Sequence, residues 1–270
     1  MELCLLWLFG LGLFVGGLGT LIGAGGGFML MPILMFLYPD MPVDVITSIS
    51  LFVVFFNATS GSLAYAKMRR IDYKTGWIFG LATLPGAILG IYLTNNVDRL
   101  VFDKIMGAML ILIAGFLFLK PQTGAYSRKS SAANSTHRSI TDSLNVNYQY
   151  DFSQKLGVYL SFIVGMVSSF LGIGGGIIHV PAMISLLNFP THIATATSHF
   201  MLALMAFAGT VVHLTNGTLQ QGGHIALTIG AGVIIGAQIG APFSNKVRGQ
   251  TIVQALALAL TMVGIRLIFV

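Results

Sequence analysis

The chain has 270 residues, of which 55% are hydrophobic and only 8% charged, with a mean hydropathy of +0.86. A soluble domain carries about 25% charged residues, so this composition excludes a water-soluble enzyme or binding module and indicates an integral membrane protein. The single cysteine, Cys4, excludes an internal disulfide and a thiolate metal cluster, and the net charge of +6 sits mostly in two polar stretches, where it marks topology rather than nucleic-acid binding.

Taken in chain order, the first apolar run covers 3–37 and is longer than one bilayer crossing needs. Its only early charge is Glu2, so it lacks the basic start of a cleavable signal peptide. Gly23, Gly25, Gly26 and Gly27 break it, and Pro32 follows. Each glycine costs a helix about 1 kcal/mol relative to alanine. Such a break also bares backbone groups that lipid cannot satisfy. Runs at 45–66, 75–94 and 103–120 complete a first repeat over 1–120. The stretch 121–155 is polar and rich in Ser, Thr and Asn, and reads as a flexible cytoplasmic linker; its Asn134-Ser135-Thr136 triplet has the form of a glycosylation acceptor. A second repeat over 156–270 opens with a long run at 156–187, broken by Gly172, Gly174, Gly175 and Gly176 and followed by Pro181. Runs at 192–214, 223–243 and 250–270 close the chain. The expected fold is an all-α polytopic membrane protein with about eight hydrophobic segments in two homologous repeats, the first segment of each broken at glycines.

The repeat extends beyond the breaks. Residues 23–32 and 172–181 share five of ten positions, and residues 42–52 and 190–200 share Pro42/Pro190, Thr47/Thr195, Ser50/Ser198 and Phe52/Phe200. Gly61 pairs with Gly209, Gly86 with Gly232 and Gly90 with Gly236. Internal repeats of this kind define transporter architecture. The basic loop at 67–74 and the basic residues of the linker belong in the cytoplasm. Two topologies then remain. If each long run crosses once, the repeats are parallel; if each folds back at its glycines, the second half is inverted. Lys246 and Arg248 are cytoplasmic only in the inverted form and Arg266 only in the parallel one, a balance that favours hairpin-like broken segments. The segment after the first glycines, 28–37, spans only about 15 Å as a helix, which favours the same reading.

A helix that begins at mid-membrane offers free N–H groups and the positive end of its dipole to an anion. Gly25, Gly26, Gly27, Gly174, Gly175 and Gly176 are therefore candidate substrate-binding positions, against the plainer role of letting helices pack closely. The hydroxyls of Thr47, Ser48, Ser50, Thr195, Thr197 and Ser198 recur at helical spacing after the breaks and can donate to an oxyanion or bond back to their own helix. Asn57 and Gln238 place amides within apolar runs. All eight acidic residues fall in loops or at segment ends, whereas His199 and His179 lie within segments, so these two histidines are the ionisable candidates. Without a buried carboxylate no proton or sodium relay is evident. Export of an anion needs none, because 100 mV favours it by about 2.3 kcal/mol per charge. No cofactor, metal or catalytic group is expected. An intramembrane serine protease, built on Ser60 and Gly61 with His213 as base, is a remote alternative without an acidic partner in any segment.

These motifs resemble the sulfite exporter TauE/SafE family, also described as the toluenesulfonate uptake permease group. The resemblance is carried by Gly23–Pro32, Gly172–Pro181, Thr47-Ser48, Thr197-Ser198, the stretch from Tyr65 to Tyr73, the turn from His213 to Gly217, and the glycine-rich helices from Gly86 and Gly232. It implies a multi-pass transporter of the bacterial inner membrane, exporting sulfite or a related organosulfonate, with import or another small anion as the alternative. The partners it implies are that anion, the lipid bilayer and a second copy in a homodimer. Leu30 and Leu51 stand where the second half has His179 and His199, so the expected site is asymmetric.

Overall fold

A computed structural model describes residues 2–94, 97–119, 135–244, 261–262 and 264–269. Five helices form the first half: α1 (Glu2–Ile22), α2 (Gly27–Leu37), α3 (Val43–Lys67), α4 (Tyr73–Thr94) and α5 (Arg99–Leu119). Strands β1 (Ser135–Thr141) and β2 (Asn147–Ser153) follow. The second half holds α6 (Gln154–Leu171), α7 (Gly176–Leu186), α8 (Thr191–Thr215), the short α9 (Thr218–Gln221) and α10 (Gly223–Phe243). Among the described residues, α1, α3, α4, α6, α8 and α10 are long and apolar enough to cross a bilayer, while α2 and α7 have 11 residues each. The protein is an all-α polytopic membrane protein. The last expected run, 250–270, and residues 121–134 fall largely outside the described residues.

Glycine explains where the helices break. Gly23, Gly25 and Gly26 have φ of +83°, +75° and +76°, and Gly172 and Gly174 have +63° and +71°. Side chains disfavour this left-handed region, so only glycine turns the chain there cheaply. The Gly19 carbonyl receives the Ala24 N–H at 2.8 Å, and the Ser168 carbonyl receives that of Ile173 at 3.2 Å, closing both turns alike. Pro42 and Pro190 sit at equivalent caps of α3 and α8, with φ near −60° and ψ of 144° and 138°.

Close contacts fix the helix directions. Gly61 meets the His199 ring while Gly209 meets Leu51, so α3 and α8 run antiparallel. In α1 and α10, Gly12 meets Ile229 and Gly16 meets Val233, so these two run parallel. Helix α3 also runs parallel to α10, with Phe52 at Gly230 and Ser60 bonded to Ile234. Hence α1 and α3 share a direction, and α2 returns between them, from Asn57 and Val54 beside its first residues back towards the start of α3. The long run therefore folds back at its glycines.

The two halves interlock by exchange: α1 of the first packs on α10 of the second, and α6 of the second on α4 of the first. Small residues let these backbones touch, as expected in membranes. A Cβ on Gly86 would strike the Phe162 carbonyl and one on Gly90 that of Met166; Gly236 and Gly240 meet the Leu13 and Gly17 carbonyls in the same way. Leu13 and Gly17 precede the first break by the same distances at which Phe162 and Met166 precede the second. The structural equivalents are thus Gly86/Gly236 and Gly90/Gly240. The sequence pairing of Gly86 with Gly232 and Gly90 with Gly236 is one helical turn out of register, because glycines repeat every four residues on this face of α10.

The linker expectation is corrected for residues 135–153, which form an antiparallel hairpin with Arg138 opposite Tyr150 and Ile140 opposite Tyr148. Tyr148, Tyr150 and Phe152 alternate along β2 and are all buried, packing against Phe79, Met183, Phe189 and Ile193. The Tyr150 and Phe189 rings lie 4.5 Å apart. Polar anchors complete the docking. Asp142 accepts from Arg70 Nη2 at 2.9 Å and Nε at 3.2 Å, and from the Leu144 and Val146 amides at 2.9 and 3.0 Å. Burial raises the Asp142 pKa, but these donors and the Arg70 charge outweigh it and hold the carboxyl below its ordinary range. Tyr150 donates to Asp72 at 2.8 Å, and burial together with that carboxylate pushes the phenol well above its usual value. The hairpin covers the end of the bundle where α3 turns into α4 and where α6 and α8 begin.

Candidate functional site: two interlocked helix breaks

Both glycine breaks meet where α3 and α8 cross. Gly25 packs on Leu202 and Val54, and Gly174 on Val54 and Leu202. A Cβ on Gly27 would lie 2.6 Å from the Ile173 carbonyl oxygen, and one on Gly176 would lie 2.5 Å from that of Gly23. The starts of α2 and α7 are therefore pressed against each other's turn, backbone to backbone. In α2 the Met29 and Leu30 amides donate to the Gly26 carbonyl, and in α7 those of Ile178 and His179 donate to that of Gly175. The Gly27, Phe28, Gly176 and Ile177 amides, as first residues of their helices, have no acceptor within them.

Polar side chains gather at this junction. Thr20 donates to Asn57 Oδ1 at 2.6 Å, its carbonyl accepts from Tyr65 at 2.7 Å, and His199 Nε2 stands 3.4 Å from its hydroxyl. The His199 ring lies against Gly61 and edge-on to Tyr65. On the other side, His179 Nε2 is 3.3 Å from Ser161 Oγ, and a Cβ on Gly175 would sit 3.3 Å from His179 Nδ1 and 3.5 Å from Ser168 Oγ. Ser50 donates to the Gly172 carbonyl at 2.5 Å and pins the second break, and Thr195 lies against Gly23. Buried polar atoms lacking a hydrogen-bond partner concentrate here: Thr47 Oγ1, Asn57 Nδ2, His199 Nδ1 and the Oγ atoms of Ser168, Ser169 and Ser198. An unpaired buried donor costs about 1–3 kcal/mol, so such a cluster is unusual without a function.

Other candidate positions are engaged elsewhere. Ser48 bonds back to the Val45 carbonyl at 2.7 Å. Thr197 accepts the Asp72 N–H at 3.0 Å, at the hairpin end. Gln238 donates to the Ser60 carbonyl and hydroxyl at 2.7 and 2.9 Å and ties α10 to α3. Ser60 also donates to the Ile234 carbonyl, while His213 contacts Thr218 at 2.9 Å, so the nucleophile and base of a protease are each bonded to other groups. Sequence reasoning missed Thr20, Ser168 and Ser169. A signal was present: Thr20 and Ser169 each stand three residues before the first glycine of a break.

At the opposite end from the hairpin, a shallow cavity of about 440 Å³ is lined by Leu37 to Pro42, Val45 and Gln221. It leads from the end of α2 and is separate from the buried junction.

Comparison with known proteins fits this architecture. The family model described as Sulfite exporter TauE/SafE matches residues 8–267. The "Probable membrane transporter protein YunE" of Bacillus subtilis is 35% identical, over 96% of this chain and 95% of that protein. The "Probable membrane transporter protein MJ0441" of Methanocaldococcus jannaschii is 28% identical, over 94% of this chain and 91% of that protein. No solved structure matches. The motifs around the two breaks, the crossing helices and the near-complete family match together show that this chain belongs to the sulfite exporter TauE/SafE family of membrane proteins.

Proposed function

We propose that this membrane transporter exports sulfite or a related small organosulfonate across the plasma membrane, the inner membrane in bacteria, and holds the oxyanion between its two glycine breaks. The halves would be inverted across the bilayer, with the basic 67–74 loop and the 135–153 hairpin on the cytoplasmic side. One observation carries this reading: two helix N-termini meet at a buried junction beside six polar atoms that lack partners. The unpaired side-chain atoms there are hydrogen-bond donors or can become one, and no carboxylate is among them in the described residues. Such donors suit an acceptor-rich anion. His179, His199, Thr47, Thr195, Ser50 and Ser198 would frame the anion, with Gly25 to Gly27 and Gly174 to Gly176 supplying backbone.

Export also fits the energetics. An anion leaving a cell at 100 mV gains about 2.3 kcal/mol per charge, so the potential can drive the cycle alone. Purified protein in liposomes loaded with sulfite, methanesulfonate or sulfate, with an imposed potassium diffusion potential, tests the reading. Sulfite or sulfonate efflux that rises with an inside-negative potential is expected. Flux of none of the sulfur anions would refute it, and flux only in the inward direction would reassign the chain as an importer.

A further inference from the structure

The two breaks look alike in sequence, yet they are not chemically equal. We propose that the oxyanion docks at the first break, on Asn57 Nδ2 and the amides of Gly27 and Phe28, with Thr20 as the positioning residue that aims Asn57. This rests on the transport function proposed above. Asn57 is fully buried in α3. Its Nδ2 has no partner and lies 3.0 Å from where a Cβ on Gly26, the cap of α2, would stand. The unpaired donor therefore lies beside the start of α2, whose Gly27 and Phe28 amides have no acceptor within the helix.

The orientation of Asn57 is what separates it from the other candidates. Thr47, Ser168, Ser169 and Ser198 carry hydroxyls on helices, and each can rotate to bond back to its own i−4 carbonyl. Asn57 is placed differently: with its Oδ1 accepting from Thr20 at 2.6 Å, its Nδ2 is turned to the break. In this arrangement the amide nitrogen has no acceptor in the protein. An oxygen of a sulfur oxyanion supplies it.

The second break has no amide at this place. By the pairing of Thr47 with Thr195 and Gly61 with Gly209, the place of Asn57 is taken in α8 by Met205, a buried thioether. The neighbours of Gly175 are Val164, Ser168, which can rotate, and His179, whose ring presents Nδ1 to the turn and Nε2 to Ser161, an aromatic nitrogen in place of an amide. Gly175 itself has φ of −67°, unlike Gly26, so the second turn is shaped differently. The first break supplies the amide donor, and the second closes the site from the other side.

Isothermal titration of purified protein with sulfite, methanesulfonate and sulfate tests this, alongside flux in liposomes. Asn57→Leu removes the donor without adding charge, and should weaken Kd about ten- to hundred-fold, the loss expected for a hydrogen bond to a charged group. Thr20→Val should weaken binding in the same direction, and Thr20→Ser should restore it. Wild-type affinity in Asn57→Leu would overturn the assignment, as would a Thr20→Val defect that Thr20→Ser fails to rescue. If Asn57→Leu does not fold, the Thr20 pair decides alone. Wild-type protein that binds and moves none of the anions would instead refute the transport reading and this inference with it.

Discussion

Removing the carboxylate of Asp142 should release the hairpin from the bundle. Asp142 and Arg70 have side chains only 0% and 4% exposed, and their atoms approach to 2.9 Å. Truncation in Asp142→Ala leaves a buried guanidinium without its carboxylate, a loss of about 3–5 kcal/mol. Against this, docking of the hairpin buries Tyr148, Tyr150 and Phe152, each contributing about 1.5–3 kcal/mol. The lost pair is thus comparable to about a third or more of the apolar docking energy. The helices should persist while the hairpin opens locally. Hydrogen exchange followed by mass spectrometry in detergent micelles should show the β1 and β2 amides exchanging about a hundred-fold faster or more, at 1.4 kcal/mol per decade. Asp142→Asn, which keeps an acceptor for the Leu144 and Val146 amides, should lie between. The carboxyl titrates below its ordinary value of 3.8 in the folded hairpin, so the stabilisation is complete above about pH 4 and is lost as pH falls through the lowered folded value. Unchanged protection in Asp142→Ala would refute the claim that this pair holds the hairpin down.

Three further outcomes are expected. Gly176→Ala places a Cβ 2.5 Å from the Gly23 carbonyl and should destabilise the junction, whereas Gly175→Ala meets nothing nearer than 3.3 Å and should fold; the larger Gly175→Leu should insert normally yet lose flux, as compared by thermal denaturation and liposome assay. Ser50→Ala leaves the buried Gly172 carbonyl without its donor and should cost about 1–3 kcal/mol, read as a lowered Tm; an unchanged Tm would mean the second break does not depend on this bond. Ser60→Ala should retain most of the flux, since Ser60 joins α3 to α10 and touches no part of the junction; complete loss would revive a nucleophilic role.

Much of the site could be read from the chain. The glycine triplets announced the breaks because no other residue makes a left-handed turn in an apolar helix cheaply, and Asn57 was visible as a lone amide in an apolar run. Gln238 carried the same signal and turned out to bond Ser60, because an isolated polar residue declares that it needs a partner without declaring which one. The hairpin was misread as a linker for want of an apolar run. Its strand signal was the alternation Tyr148, Tyr150, Phe152, which needs only three apolar residues.

Composition and hydropathic run length by themselves determined the membrane class, the helices and the two places where they break, since lipid tolerates few alternatives. They could not determine which glycine of one half answers which of the other, because a face with glycine at every turn allows several registers. Nor could they bring Thr20 to Asn57 or Arg70 to Asp142, pairs that lie 37 and 72 residues apart. The first meeting exists only because the chain folds back and brings α1 beside α3, and the second only because the hairpin docks on the end of the bundle. It was tertiary packing that left one amide fixed, buried and without an acceptor.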